Sequence, residues 1–338
     1  MIGTVVVTGG LGFIGSHLVR LLLSGGHASE VINIDCLTYA GNEQNLADVA
    51  VDPRYRLLRA SIESEAAMEA ALRRSDVVIH CAAESHVDRA IDGPMAFART
   101  NALGTASILD AARRVGVRRF VHVGTDEAYG SLEPGDPPWT EAAPLRPRNP
   151  YSASKAAADH LVLSYHATYG MDVVITRGSN TYGPMQCPEK FIAIAVMALL
   201  DGRPIPIHGS GTNMRDWLHV SDHCAGIVAA MEHGLPGAAY NLGGNCERSN
   251  LAMAWAICRL MGTSEPRIEF VDDRPGNDQR YAMNSSKAER EIGWRPRVAL
   301  EDGLRGAIAW YRENRAKWSW TPYVRRVDAE RRLLVEVV

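Results

Sequence analysis

Short apolar, β-branched runs alternate with helix-length segments through the first half of this chain. TVVVT (4–8), EVINID (30–35), YRLLRA (55–60), DVVIHC (76–81), RRFVHVG (118–124) and MDVVITR (171–177) read as strands. Their apolar positions are continuous rather than alternating, as expected of strands buried on both faces. The segments between them, such as SHLVRLLLS and PMAFARTNALGTASILDAARRVG, have the length and periodicity of covering helices. The pattern therefore predicts an α/β protein built on a doubly wound parallel sheet. From about residue 185 the strands shorten and Pro and Gly become more frequent, with helices predicted near 221–233, 250–261 and 301–317. The expected division is a larger unit over 1–184 and a smaller C-terminal α/β lobe over 185–338, between which the chain can cross back.

Composition narrows the function classes. The 338 residues are 46% hydrophobic and 22% charged, enough to bury a large core. The longest apolar run, FIAIAVMALL (191–200), is too short to span a bilayer, and no basic segment precedes the apolar strand that begins by Val5, so a cytoplasmic protein is expected. Cysteines 36, 81, 187, 224, 246 and 258 form no C-x-x-C pair, which predicts reduced thiols. A net charge of −3 gives no electrostatic reason for nucleic-acid binding and favours a small-molecule partner.

The first strand runs into TGGLGFIGSHL, which satisfies G-x-G-x-x-G at Gly10, Gly12 and Gly15 and a wider spacing at Gly9, Gly12 and Gly15. Such glycines allow a tight turn and let backbone N–H groups reach a pyrophosphate at the start of the next helix. Asp35 ends the second strand twenty residues after Gly15, where a carboxylate accepts hydrogen bonds from an adenosine ribose diol and repels a 2′-phosphate. The first unit thus reads as a Rossmann-type domain that takes NAD rather than NADP.

Two further stretches carry chemistry. In NPYSASKAAADHL (149–161) Pro150 suits a helix start, and Tyr151 and Lys155 lie four apart on one helical face. An ammonium beside a phenol would lower its pKa and make it a usable base. With 4 lysines in the chain, a chance Tyr-x-x-x-Lys is expected well under once. In GTDEAYG (124–130) Asp126 and Glu127 follow the fifth strand, bracketed by Gly124 and Gly130. Adjacent strand residues face opposite ways, so both carboxyls can serve one substrate only where the strand has ended. Repulsion and unequal burial then separate their pKa values into an acid and a base.

These features resemble the extended short-chain dehydrogenase/reductase family, whose members act largely on nucleotide sugars. Thr125 matches the Ser or Thr that accompanies Tyr and Lys there, and the triplet Thr125-Asp126-Glu127 is similar to the signature of the dTDP-glucose 4,6-dehydratases. DCLTYAGN (35–42), AAESHVDR (82–89), TRGSNTYGP (176–184), PEKF (188–191), RDWLHVSDH (215–223), YNLGGN (240–245) and DRPGNDQRYAM (273–283) agree with that group. The resemblance covers nearly the whole chain.

It implies oxidation of C4 by NAD with Tyr151 as base, assisted by Lys155 and Thr125. Glu127 would then remove the C5 proton while Asp126 protonates the leaving C6 oxygen, and reduction at C6 would give a 4-keto-6-deoxy nucleotide sugar. It also implies cofactor contacts at Gly9, Gly12, Phe13, Ile14, Gly15, Asp35, Leu37, Thr38 and Gly41. Further cofactor contacts fall at Ser61, Ile62, Cys81, Ala82, Ala83, Ser85, Thr100, Tyr151, Lys155 and Thr181. Ser85, Thr125 and Asn180 fall where the family holds the hexose. Lys190, Phe191, Pro206, His208, Arg215, Asn250, Arg274 and Asn277 fall where it holds the nucleoside diphosphate. A homodimer built on long helices is the family habit.

Four positions depart from the pattern: Ser61 stands for an aspartate, Gly178 for a cysteine, Thr181 for an asparagine and Asn277 for a histidine. Rival readings are a 4-epimerase, which needs no acid and base after the threonine, and a UDP-glucose dehydratase. A non-catalytic NAD sensor is a third, and it would have lost Tyr151, Lys155 or the carboxylates. His219, His223 and Cys224 lie close in sequence, but His219 ends a predicted strand and the implied chemistry needs no metal. WYRENRAKWSW (310–320) reads as a C-terminal helix packed on the lobe or on a partner subunit.

Overall fold

The computed structural model describes residues 2–263 and 267–318. Seven parallel strands form the main sheet in the order β10-β6-β5-β4-β1-β2-β3. They are β1 (Ile2–Thr8), β2 (Ala28–Asp35), β3 (Tyr55–Arg59), β4 (Val77–His80), β5 (Arg119–Thr125), β6 (Val173–Gly178) and β10 (Ala238–Leu242). Val5, Val6 and Val7 of β1 are all fully buried, so both faces of the strand are covered. On one face Val5 and Val7 pack with α1 (Phe13–Ser24), α8 (Val220–His233) and α10 (Ser286–Ile292). On the other, Val6 packs with α2 (Glu65–Leu72), α5 (Gly104–Val115) and α6 (Pro150–Tyr169). This alternation is the period-two geometry of a strand sandwiched between helical layers.

Local chemistry sets the helix that matters most. Asn149 caps α6: its side chain accepts from the Ser152 N–H at 2.9 Å, and Pro150 occupies the first helical position, where a missing N–H costs nothing. The helix ends at Gly170, whose φ of +67° a side chain would resist. Ahead of it, α3 (Val87–Asp92) and α4 (Pro94–Phe97) lead through a widened helical stretch at 98–103 into α5.

A second core joins α7 (Phe191–Leu200), α9 (Asn250–Met261) and α11 (Leu300–Trp318) to β8 (Ile205–His208) and its parallel partner β12 (Ile268–Val271). A three-stranded sheet, β11-β9-β7, lies between the two cores and comprises Glu247–Ser249, Met214–His219 and Asn180–Tyr182. The described residues from 185 onward therefore do not form one contiguous lobe. The chain crosses back with α8, β10 and α10, because their apolar faces complete the large sheet and its cover.

Tyr311 of α11 is fully buried and its hydroxyl donates to the Gln186 carbonyl at 2.5 Å, so this part of the aromatic cluster packs on the lobe. The Trp318 side chain and Trp320 lie outside the described residues. Among the described residues, no helix is long and apolar enough to cross a membrane, and the six cysteines are free thiols.

Candidate active site

β1 delivers the chain to Gly9, which adopts φ +70° and lies so close to the Ala82 backbone that an added Cβ would sit 2.8 Å from its nitrogen. A Cβ at Gly15 would strike the Gly9 carbonyl oxygen. The turn is therefore tight for steric reasons. Gly12 is an extended cap with no side-chain hydrogen bond, so the first N–H groups of α1 remain open toward the cavity above them. Asp35 is fixed beside this turn: Oδ2 accepts from the Leu11 N–H at 2.9 Å and Oδ1 from the Leu37 N–H at 2.8 Å. Burial raises its pKa and these two donors oppose the shift.

A cavity of about 420 Å³ runs over the carboxyl ends of the strands, from Asp35, Ser61 and Ile62, past the glycine turn, to Thr125, Tyr151 and Lys155. Every cofactor position implied by the resemblance lines it except Leu37. Leu37, at φ +55°, packs its side chain on the α1 core and offers only its backbone N–H to Asp35. A second cavity of about 480 Å³ faces the lobe and is lined by Phe191, Pro206, His208, Arg215, Asn250, Arg274 and Asn277. The two meet at Glu127, Asn180, Thr181, Gln186, Glu189 and Lys190. Ser85 and Thr125 line the first cavity only.

The carboxyl pair sits at this junction. β5 ends at Thr125, and Asp126–Tyr129 form a single 3₁₀ turn closed by Gly130 at φ +92°. The change from strand to turn is what lets neighbouring side chains share one space. Their surroundings are unequal. Burial, then Glu127 and Asp216, push the Asp126 carboxyl well above the usual range, and its Oδ2 is buried without a hydrogen-bond partner among the described residues. Burial also raises Glu127, but Lys190, Arg215 and a hydrogen bond with Asn149 hold its anion. Asp126 is the protonated member and Glu127 the readier base.

Tyr151 departs from the expected pairing. Its phenol is pushed up by burial and by the charges of Glu127 and Asp126, and a hydrogen bond with Thr125 opposes this. The Lys155 ammonium does not turn to the phenol. It donates to the Val123 carbonyl at 2.8 Å and lies 3.5 Å from His122 Nε2, and burial lowers its pKa to about 8. Helical spacing puts the two side-chain roots on one face, but a buried ammonium follows the nearest acceptor, and that is the β5 backbone.

In the second cavity Lys190 Nζ donates to the Ser85 carbonyl at 2.5 Å. Arg215 lies over the Tyr281 ring at 4.5 Å and donates to Asn277 Oδ1 at 3.0 Å. Asn277 in turn donates to Asp273 at 2.7 Å, while Arg274 pairs with Asp88 at 2.9 Å. Glu84, Ser179, Gln186, Cys187, Glu189 and His223 of the first cavity, and Asn149, Trp217, Asp278 and Tyr281 of the second, were not picked out as site residues from sequence. Most belong to stretches already singled out, such as AAESHVDR, PEKF and RDWLHVSDH. His219 caps α8, accepting from the Ser221 N–H at 3.3 Å.

Comparison with known proteins agrees with this geometry. Residues 6–307 match the family described as GDP-mannose 4,6 dehydratase. A dTDP-glucose 4,6-dehydratase of Actinoplanes sp. is 48% identical over 320 residues, covering 93% of this chain and 99% of that one. Another from Streptomyces griseus is 48% identical over 315 residues, covering 93% and 95%. A dTDP-glucose 4,6-dehydratase structure from Streptomyces venezuelae, solved with NAD bound, matches with a TM-score of 0.90 at 47% identity, over 93% and 98% of the two chains. A UDP-glucose 4-epimerase structure from Thermotoga maritima matches at 28% identity and a TM-score of 0.85, over 92% and 99%. The chain belongs to this dehydratase family, and within it to the dTDP-glucose 4,6-dehydratase group.

Proposed function

We propose that this protein removes water from dTDP-glucose to give dTDP-4-keto-6-deoxyglucose, using a tightly bound NAD that is restored in each turnover. The observation that carries this reading is the pair of adjacent carboxyls with separated acidities, set where a dinucleotide cavity meets a second, basic one. A 4-epimerase needs no such pair.

The residues present fit the dinucleotide. The glycine turn leaves room where Cβ atoms would clash, α1 offers open N–H groups, and Asp35 stands at the adenosine end. Bound NAD supplies a hydride acceptor at C4 of the hexose and the return of that hydride at C6.

The protein's own groups move the protons. Tyr151 acts as its phenolate, which the hydrogen bond with Thr125 favours against burial and the neighbouring carboxylates, and takes the proton of the 4-hydroxyl. Once C4 is a ketone, the C5 hydrogen becomes acidic, and Glu127 accepts it. Asp126 gives its proton to the C6 oxygen, which leaves as water. Glu127 then returns its proton to C5 as C6 is reduced; Tyr151 is left protonated and Asp126 ionised, and passage of that proton from the phenol to the Asp126 carboxylate resets the site. Lys190 and Arg215 at the second cavity provide cations for the diphosphate, and Arg215 also steadies the Glu127 anion.

Exposed Ile91, Met95 and Leu103 lie on the α3–α5 run and give it an apolar surface suited to a homodimer contact. The cytoplasm, where sugar nucleotides are made, is the proposed compartment. The test is incubation with dTDP-glucose and, separately, UDP-glucose. The expected product from dTDP-glucose has lost one water and shows the ultraviolet absorbance of a 4-keto-6-deoxy sugar in alkali. A product of unchanged mass would indicate an epimerase, and turnover of UDP-glucose alone would reassign the nucleotide.

A further inference from the structure

The dinucleotide cavity holds a histidine that the reaction above does not use. His223, near the start of α8, is 2% exposed, and burial lowers its pKa to about 4, so the ring is neutral. Its Nδ1 lies 2.8 Å from Thr181 Oγ1. The single Thr181 hydroxyl proton goes to the Ser179 carbonyl at 3.0 Å. Nδ1 therefore carries the ring hydrogen and Nε2 keeps its lone pair.

Nothing among the described residues satisfies that lone pair: Nε2 is buried without a hydrogen-bond partner, and so are Ser179 Oγ and Asn180 Oδ1 close by in the same lining. Burying an acceptor without a partner is costly, so this one calls for a donor from a ligand. The ring also has its place reserved. A Cβ at Gly178 would strike the His223 ring, so the glycine at 178 and the imidazole at 223 fill one space between them.

Position identifies the donor. Asp35 closes β2, the glycine turn follows β1, and Gly178 closes β6 with Ser179 to Thr181 just beyond it, three strands further along the sheet from β1. A dinucleotide with its adenosine at Asp35 and its pyrophosphate over α1 must bring its nicotinamide to the β5–β6 end, beside Tyr151 and Lys155. The polar handle of that ring is a carboxamide with an NH₂ donor.

We propose that His223 is a positioning residue for the nicotinamide: Nε2 accepts a hydrogen bond from the carboxamide NH₂, with Thr181 fixing the tautomer and Gly178 the room. The contact fixes the rotation of the ring about its bond to ribose, and so selects the face presented to the hexose.

Binding measurements on the holoenzyme test this without reference to turnover. NAD, ADP-ribose, which lacks the nicotinamide, and 3-acetylpyridine adenine dinucleotide, whose methyl ketone lacks the NH₂, are each used to displace fluorescent NADH. Wild type is expected to prefer NAD over the acetylpyridine analogue by about three- to tenfold, the worth of one hydrogen bond. His223→Leu should erase that preference and weaken NAD by a similar factor, leaving ADP-ribose within about twofold. Equal weakening of NAD and ADP-ribose would reduce His223 to a packing role and overturn the proposal. Should the leucine variant fold poorly, Thr181→Val, which releases the tautomer, is expected to weaken NAD while sparing ADP-ribose. Equal affinity of wild type for NAD and the acetylpyridine analogue would sink the idea without any variant.

Discussion

Arg177 on β6 and Asp159 on α6 form a buried ion pair, Nε to Oδ2 2.7 Å, directly behind the strand end that carries Thr125. Arg177 also donates to the Tyr129 hydroxyl at 2.7 Å, and Tyr129 donates to Asn241 of β10 at 2.8 Å. The Asp126–Tyr129 turn is thereby tied to three elements. Removing one partner strands a buried charge, which costs about 3–5 kcal/mol, whereas replacing both partners with apolar groups is far milder. Arg177→Leu should therefore destabilise by about 3–5 kcal/mol, and the double variant with Asp159→Leu should recover much of it in denaturant melts.

Separated acidities at Asp126 and Glu127 give the pH profile two limbs. Activity needs Asp126 protonated, so it falls as pH rises through that group's raised pKa. It needs Glu127 ionised, so it falls as pH drops through a pKa raised less strongly. Asp126→Asn and Glu127→Gln are each expected to cut kcat by about 10²–10⁴. Because C4 oxidation does not require either group, reduced cofactor should accumulate on both variants. Its near-ultraviolet absorbance after mixing with substrate is the readout, and unchanged absorbance would detach these residues from the elimination.

The glycine turn makes a steric prediction. Gly15→Val drives a side chain into the Gly9 carbonyl and closes the approach to α1. Purified variant should carry much less NAD than wild type when the protein is denatured and its nucleotide is counted, with the fold retained by circular dichroism.

His80 links β4 to its surroundings through Thr8 at 2.7 Å and Thr105 at 3.0 Å. Burial lowers its pKa to about 3, against an ordinary 6.5. The unfolded chain thus binds the extra proton across that window. Its contribution to stability is complete above about pH 6.5 and is lost progressively on acidification. Between about pH 7.5 and 5.5, wild type should lose about 1 kcal/mol more stability than His80→Gln, although the variant starts lower at neutral pH.

Asn277 holds Arg215 in place and is itself held by Asp273. Asn277→Ala should raise KM for the nucleotide sugar about three- to tenfold with little change in kcat, since one neutral-to-charged hydrogen bond orients the cation without touching the reacting carbons. A fall in kcat with unchanged KM would contradict this placement.

Much of this protein is written in local pattern. Continuous apolar runs such as VVV at 5–7 admit only a strand covered on both faces, and the glycines at 9, 12 and 15 suit only a turn that something approaches closely. Asn149 and Pro150 announce the helix carrying Tyr151 and Lys155 from sequence neighbours alone. The candidate carboxyl pair after Thr125 stood out in the sequence because residue type and adjacency are themselves sequence. Where a group points, and how acidic it is, did not. Lys155 turns to the Val123 carbonyl and Leu37 turns into the α1 core. The asymmetry between Asp126 and Glu127 comes from Asp216, Arg215 and Lys190, which are distant in the chain. The return of α8 and β10 to the first sheet, and the lodging of His223 against Gly178, likewise depend on contacts between remote segments. Periodicity and turn chemistry act over a few residues and survive in the string. Burial, electrostatic environment and side-chain direction are set by whatever the fold brings alongside, and only the tertiary structure decides that.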